Sequence, residues 1–319
     1  MINAMMNQPV IIISAFIMDL LFGDPQWRWH PMRLMGCLIS FFEKMFYHFE
    51  NKREAGQLVV LLVVGASYVV SFGAINLFYR INYLAGAFVS VFLIYVCLSI
   101  KDLRDESMRV HWALSKKDIG SARGNLSMIV GRDTNNLNEK EITRATVETI
   151  AESTVDGVIS PLFFAFLGGA PLCVAYKAVN ALDSMLGSRN EKYKDFGWAS
   201  AKLDELLNYI PARISGVLFF ITGICLRQNA KAVLKNVILK KEFIIGQSSR
   251  IPESAMAELL GVRLGGINYY QGIAVCVPFM GRDKNSLTSE AIKTANRIMY
   301  IVSFIALAIG ASIFWLIKK

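Results

Sequence analysis

Apolar runs of membrane-spanning length alternate along this chain with short charged stretches. Residues 57–79 and 298–317 are almost uninterrupted hydrophobic sequence, and 83–100 nearly so. A helix needs about 20 apolar residues to cross roughly 30 Å of hydrocarbon, so these three predict spanning helices. Residues 9–22 are short for that distance and carry Asp19, which predicts tilting, extension or a pairing partner. Residues 158–176 are apolar yet contain Pro161, Gly168, Gly169 and Pro171, and 212–226 begin just after Pro211. Broken helices at membrane depth persist only where neighbouring protein or a water-filled cavity satisfies the freed backbone groups. These two segments are therefore predicted to pack inside a polar site.

Composition agrees with that reading. Apolar residues make up 54% of the 319 and charged residues 18%, with a mean hydropathy of +0.41, which argues against a soluble enzyme. The net charge of +9 fits cytoplasmic loops obeying the positive-inside rule and attraction to anionic lipid or substrate. Counting Lys and Arg places loops 23–56 and 101–156 in the cytoplasm and the 80–82 turn outside. Residues 227–241 have the spacing of an amphipathic helix, either on an anionic membrane face or on a soluble lobe. No basic tract alternates with aromatics, so nucleic acid is not an expected partner. The five cysteines are scattered without a CxxC pair and read as small buried hydrophobes. The N-terminus lacks a basic n-region and cleavage signal and is expected to stay as an anchor. The fold predicted is all-α: a polytopic integral membrane protein, one unit over 1–319, with cytoplasmic helical segments and short broken helices around a polar site.

Positions 131–213 concentrate charged and amide side chains within apolar sequence, where unpaired polar groups are costly. Asn138 and Glu141 have the spacing of a variant capping box opening a helix. Along that helix Arg144, Glu148, Glu152 and Asp156 recur every fourth residue and can line one wall. Three carboxylates on one strip suit Mg²⁺ with water and substrate phosphate, whereas a solvated strip of i,i+4 ion pairs would use the same spacing. Next, YKAVNALDSMLG sets Tyr176, Asn180, Asp183 and Gly187 on one stripe and Lys177, Asn180 and Ser184 on an adjoining one. Such a face suits a phosphate or nucleotide with its metal, or a structural hydrogen-bond network. Arg189, Lys192, Tyr193, Lys194, Lys202, Asp204, Asn208 and Arg213 follow. Earlier, GDPQWRWHP places Asp24 and His30 beside Trp27 and Trp29 at the predicted mouth of the first helix, and ESAMAELLGVRLGG places Arg263, Gly265 and Gly266 after a predicted helix, as a glycine turn open to close approach of a ligand or as a plain C-cap. No P-loop, Rossmann, nucleophile-elbow or zincin motif is present.

Taken together, GDPxxxxHP, GRDT, ETIAESTVDGVISPLFF, YKAVNALDSMLGSRNEKY, FGWASAKLDELLNYIPAR and GVRLGG resemble the CbiB/CobD family of integral membrane adenosylcobinamide-phosphate synthases. Where that family carries S-P-N-x-G, this chain has Gly246, Gln247, Ser248, Ser249 and Arg250, and Ser153 stands where Asn is usual. The resemblance implies ATP- and Mg²⁺-dependent amide formation at the cytoplasmic membrane. Adenosylcobyric acid, a corrinoid, would be joined to aminopropanol or aminopropanol phosphate; a homo-oligomer is compatible with it. On that reading Glu148, Glu152, Asp156 and Asp183 bind metal, and Lys177, Arg189, Lys192 and Lys202 stabilise phosphoryl or anionic substrate. Arg144, Asn180, Ser184, Tyr193 and Arg213 add contacts to the bound cofactor. Asp24 or His30 takes the amine proton, with Glu148 and Glu152 in the catalytic set. A membrane carrier or sensor of an anionic amphiphile, or an amide synthase for a non-corrinoid acid, would use similar features.

Overall fold

The computed structural model describes residues 8–24, 27, 30–187, 192–239 and 248–317. The helices are α1 (Gln8–Phe22), α2 (Pro31–Phe46), α3 (Lys52–Ile81), α4 (Tyr83–Tyr95), α5 (Ile100–Ser115), α6 (Ile119–Ser127) and α7 (Glu139–Thr154). A π-helical turn, Val155–Ile159, leads to α8 (Ser160–Leu186), α9 (Trp198–Leu207), α10 (Tyr209–Cys225) and the short α11 (Ala230–Val233). A second π turn, Leu234–Ile238, then α12 (Arg250–Leu260), strands β1 (Arg263–Tyr270) and β2 (Ile273–Gly281), and α13 (Glu290–Ile317) complete the order. The protein is thus an all-α polytopic membrane protein with one small hairpin. Among the described residues four helical stretches are long and apolar enough to cross a membrane: Lys52–Ile81, Tyr83–Ser115, Glu139–Leu186 and Glu290–Ile317. The α9 and α10 pair makes a fifth if it counts as one broken span. The chain divides into two compact units.

The first unit comprises residues 1–99, 156–209 and 307–319. Within it α3 packs against α4 and α8, and α1 against α4. Asn82 both ends α3 and starts α4: its extended backbone breaks the helix, and its side chain accepts from Leu84 N at 3.0 Å. Gly86 lets the two helices close, since a Cβ there would lie 2.3 Å from the Tyr79 ring. The expected break in 158–176 is real. Gly168 and Gly169 leave helical geometry inside α8, Gly169 with φ +70°, just before Pro171. The helix loses its own donors there, and Gln8 replaces them: its side-chain amide donates to Ala165 O at 2.6 Å and Phe166 O at 3.1 Å. The π turn also exposes a carbonyl, and Gly157 O accepts from Ser99 N at 3.1 Å.

The second unit comprises residues 100–155 and 210–306. Helix α7 packs on α5, α6 and α12, and α12 on both strands. The capping box at the start of α7 is present: Asn138 Oδ1 accepts from Glu141 N at 3.0 Å while Glu141 accepts from Asn138 N at 2.8 Å. Helix α12 ends at Gly261, a left-handed C-cap with φ +68°. Gly265 and Gly266 therefore do not cap a helix. They lie in β1 at φ +85° and +109°, where the register slips between Leu264 and Gly266. The hairpin pairs Tyr270 with Ile273 through a two-residue turn, Gln271 and Gly272, both at positive φ. Of the amphipathic stretch, residues 230–238 are helical or π-helical, with Val233 and Val237 buried and Lys231 and Lys235 exposed. Residues 240–241 of that stretch, with Gly246 and Gln247, lie outside the described residues. Cys97 and Cys173 are buried as expected, but Cys37, Cys225 and Cys276 are exposed.

Candidate active site

In the second unit, α7 aims its buried charges at the hairpin. Glu148 is 3% exposed and saturated: Oε2 lies 2.8 Å from Arg132 Nη1, while Oε1 accepts from Gly265 N at 2.8 Å and lies 3.4 Å from Arg144 Nη1. Arg144 is likewise spent on the strand, donating to Gly265 O at 2.6 Å, Ile267 O at 3.1 Å and Asn268 Oδ1 at 3.0 Å. Arg132 donates to the same Asn268 oxygen at 2.8 Å. Burying these charges is tolerable only because each has several hydrogen-bonded partners. The Gly265 contacts need glycine, since a Cβ would fall 2.5 Å from Pro278 O. Asp133 holds the far end of the hairpin, accepting from Gln271 N at 3.2 Å and Gly272 N at 2.7 Å, while its own amide donates to Tyr269 O at 2.8 Å. The GRDT sequence is thus a bolt across the hairpin.

At the edge of this network stand Glu152, exposed on α7, and Glu253, half-buried in the first turn of α12. Burial, then the charges of Glu152 and Glu148, push the Glu253 carboxyl well above the usual carboxylate range, against the opposing pull of Arg132 and Arg250. A helix N-terminus favours the anion by up to about 2 kcal/mol in a partly buried geometry, and burial with like charge outweighs it here.

The first unit holds other predicted residues. Asn208, 3% exposed, accepts from Ser160 Oγ at 2.6 Å and Tyr176 Oη at 3.0 Å, and donates to Asp204 Oδ2 at 3.0 Å. Asn180 and Lys177 of α8 lie near the Asp204 carboxylate of α9, whose Oδ1 has no hydrogen-bond partner among the described residues. Ser184 is exposed and bonds back to Asn180 O at 2.9 Å. Asp183 lies half-buried near the end of α8, and in the second unit Arg213 is half-buried on α10. Lys192 and Tyr193 share Glu43 Oε1, at 2.9 and 2.6 Å. Burial resists ionisation of Glu43, but the bonds from Tyr193 and Lys192 outweigh it and hold its carboxyl below the usual range. Lys202 pairs with Glu205 at 2.6 Å on an exposed helix face. His30 caps α2: Nδ1 accepts from Met32 N at 3.3 Å while Nε2 faces Asp24 Oδ1 at 2.8 Å. Burial lowers its proton affinity more than Asp24 raises it, with Arg33 lowering it further, so the neutral ring is favoured. With Nδ1 engaged in the cap, His30 is a structural cap as the structure stands. Arg189 and Trp29 lie outside the described residues.

The sequence profile of the CobD/Cbib protein family matches residues 12–299. Similar curated proteins are cobalamin biosynthesis protein CobD of Clostridium perfringens, 44% identical over 94% of this chain and 96% of its own length, and CobD of Geobacter metallireducens, 43% identical over 91% and 92%. Cobalamin biosynthesis protein CbiB of Salmonella typhimurium is 39% identical over 92% of this chain and 94% of its own length. This chain belongs to the CobD/CbiB family. No solved structure matches it.

For this CobD/CbiB member the described residues contain no group of three His, Cys, Asp or Glu placed to hold a metal ion. The oxygens of Glu148, one of the carboxylates expected to bind metal, are taken by arginines and an amide. Arg132, Asn268, Glu253 and Glu43 are the site residues that sequence reasoning did not select, and Asn208 was named there without a role. GRDT was visible as a motif, and Glu253 follows a proline at a helix start, but neither signal names the partner that makes it matter.

Proposed function

We propose that the protein is a membrane amide synthase of cobalamin biosynthesis. It joins the free carboxylate of adenosylcobyric acid to aminopropanol phosphate, or to aminopropanol, to give adenosylcobinamide phosphate or its dephospho form. The observation that carries this reading is the likeness to proteins named for cobalamin biosynthesis over more than nine-tenths of the chain. The cytoplasmic membrane is the proposed location, with the bilayer as solvent for the long apolar helices.

Joining a carboxylate to an amine expels water and needs an activated acyl group; ATP is the proposed co-reactant. Mg²⁺ is proposed to arrive on the nucleotide, and the roles below are those of the protein's own residues. An ammonium cannot attack, so a base must take its proton, and a carboxyl whose proton affinity is raised above the ordinary carboxylate range suits that task. Glu253 has that character, with Glu152 beside it. Arg132 and Arg250 set positive charge at the same edge, where it would draw the carboxylate of the acid. Arg144, Glu148 and Asp133 position rather than react, fixing the hairpin that borders these groups.

The test is reconstitution. Purified protein in lipid, supplied with ATP, Mg²⁺, adenosylcobyric acid and aminopropanol phosphate, is expected to yield the amide and spent nucleotide by mass spectrometry. Intact ATP with substrate uptake into sealed vesicles would replace the synthase with a carrier. Amide formation from other acids but not the corrinoid would reassign the substrate.

A further inference from the structure

Helix α10 leads to a cationic cavity. Its exposed apolar residues Ile210, Ile214, Val217 and Ile224 follow the i, i+4, i+7, i+14 spacing of one helix face, a greasy stripe running to the C-terminal end. There the chain turns through a helix-terminating motif in which Gln228 N donates to Gly223 O at 2.9 Å. The left-handed position of that motif, normally glycine, is Arg227, at φ +54°. A cation is thus held where backbone preference argues against any side chain. Gly223 has no room for a Cβ, which would lie 2.7 Å from Leu259 Cδ2, so the corner is seated firmly against α12.

A cavity of about 600 Å³ opens at this corner, lined by Ile224, Arg227, Gln228, Asn229 and Lys231 among others, with no acidic side chain among the described residues of its wall. Arg227 and Lys231 are exposed, and Lys235 follows one turn on. Gln228 Oε1 is buried with no hydrogen-bond partner among the described residues. A buried acceptor without a donor is costly, and rotation of the half-buried Gln228 side chain toward the cavity would let a ligand hydroxyl satisfy it. The corner therefore combines exposed apolar surface, two cations and, between them in sequence, an amide acceptor without a donor.

We infer that this corner binds an anionic membrane phospholipid whose headgroup carries a hydroxyl. An acyl chain lies along the α10 stripe, Arg227 and Lys231 take the phosphate, and Gln228 Oε1 accepts from the headgroup hydroxyl. A soluble phosphate ester shares the headgroup chemistry but leaves the stripe unused, which is why the lipid is the source favoured. The site is independent of the proposed synthase reaction.

Thermal unfolding of the full-length protein in neutral detergent tests this, with phosphatidylglycerol, phosphatidylmethanol, phosphatidylcholine or glycerol 3-phosphate added. Phosphatidylglycerol is expected to raise the midpoint above phosphatidylcholine at equal mole fraction, with phosphatidylmethanol between them because it lacks the hydroxyl. Each lost cation should weaken phosphatidylglycerol binding about fivefold. Arg227→Gly suits the local backbone, so the R227G/K231Q double variant is expected to fold normally in detergent and lose the response. Gln228→Leu should erase the preference over phosphatidylmethanol. A double variant that keeps the full response would overturn the assignment, as would glycerol 3-phosphate stabilising as strongly as the lipid, which would hand the cavity to a soluble ester.

Discussion

Arg132 Nη1 lies 2.8 Å from Glu148 Oε2, in an ion pair whose side chains are 11% and 4% exposed. The pair ties the loop carrying GRDT to α7, and through Asn268 and Gly265 to the hairpin. Removing one member strands the others. Glu148→Ala should cost roughly 3–5 kcal/mol, the range for breaking a buried pair, while Arg132→Lys should cost less. Denaturant melts in detergent would check the order, and equal, small losses would mean that the network contributes little to the fold.

Glu152 sits on the same helix but on its exposed part. Glu152→Gln should change stability by no more than about 0.5 kcal/mol, as surface substitutions do, while abolishing amide formation in the reconstituted assay. Wild-type turnover in that variant would return Glu152 to a solvated helix face.

For Glu253 the folded state raises proton affinity above that of the unfolded chain. Between the ordinary carboxylate range and the raised folded value, the folded state holds more protons than the unfolded state, so stability falls as pH rises. Glu253→Gln should remove that slope: the variant melts higher than wild type at neutral pH, and the gap closes on acidification below the ordinary carboxylate range. If Glu253 is the proton acceptor, the same variant gains stability and loses turnover. A variant less stable at neutral pH, with the slope intact, would contradict burial and like charge as the source of the raised proton affinity.

Gln8 supplies donors to two carbonyls at the break in α8. Gln8→Leu keeps the bulk but leaves those oxygens without their side-chain donor, at about 1–3 kcal/mol for a lost buried bond. Amide exchange around residues 165–170 should rise in the variant. Unchanged exchange there would show that the kink is held by its glycines and proline alone.

The long helices were legible because hydrophobic length is a one-dimensional signal: the spans and the Gly168, Gly169, Pro171 break sit where the apolar runs and breakers predict. The capping box of α7 was legible for the same reason, since its partners are three residues apart. The site was harder. A four-residue repeat places Arg144 and Glu148 on one wall, but sequence spacing cannot tell that a strand 117 residues away will fill the oxygens of Glu148. The two strands were missed because GVRLGG reads as a turn, while its partner, the apolar run 273–280, carries no alternation of polar and apolar positions. Asn208 was named among the polar residues of its stretch but drew no role, because an amide among many polar neighbours has no distinguishing spacing. Only the fold brings Ser160, Tyr176 and Asp204 around it.

The clamp on the hairpin also sets an order of events during synthesis. Asp133 reaches Gly272 across 139 residues of sequence, so the loop that grips the turn leaves the ribosome long before anything exists for it to grip. Closing so long a segment is entropically slow compared with forming the helices between. Until the last quarter of the chain emerges, Arg132, Arg144 and Glu148 have only one another or water as partners, because their hairpin partners lie at 265–268.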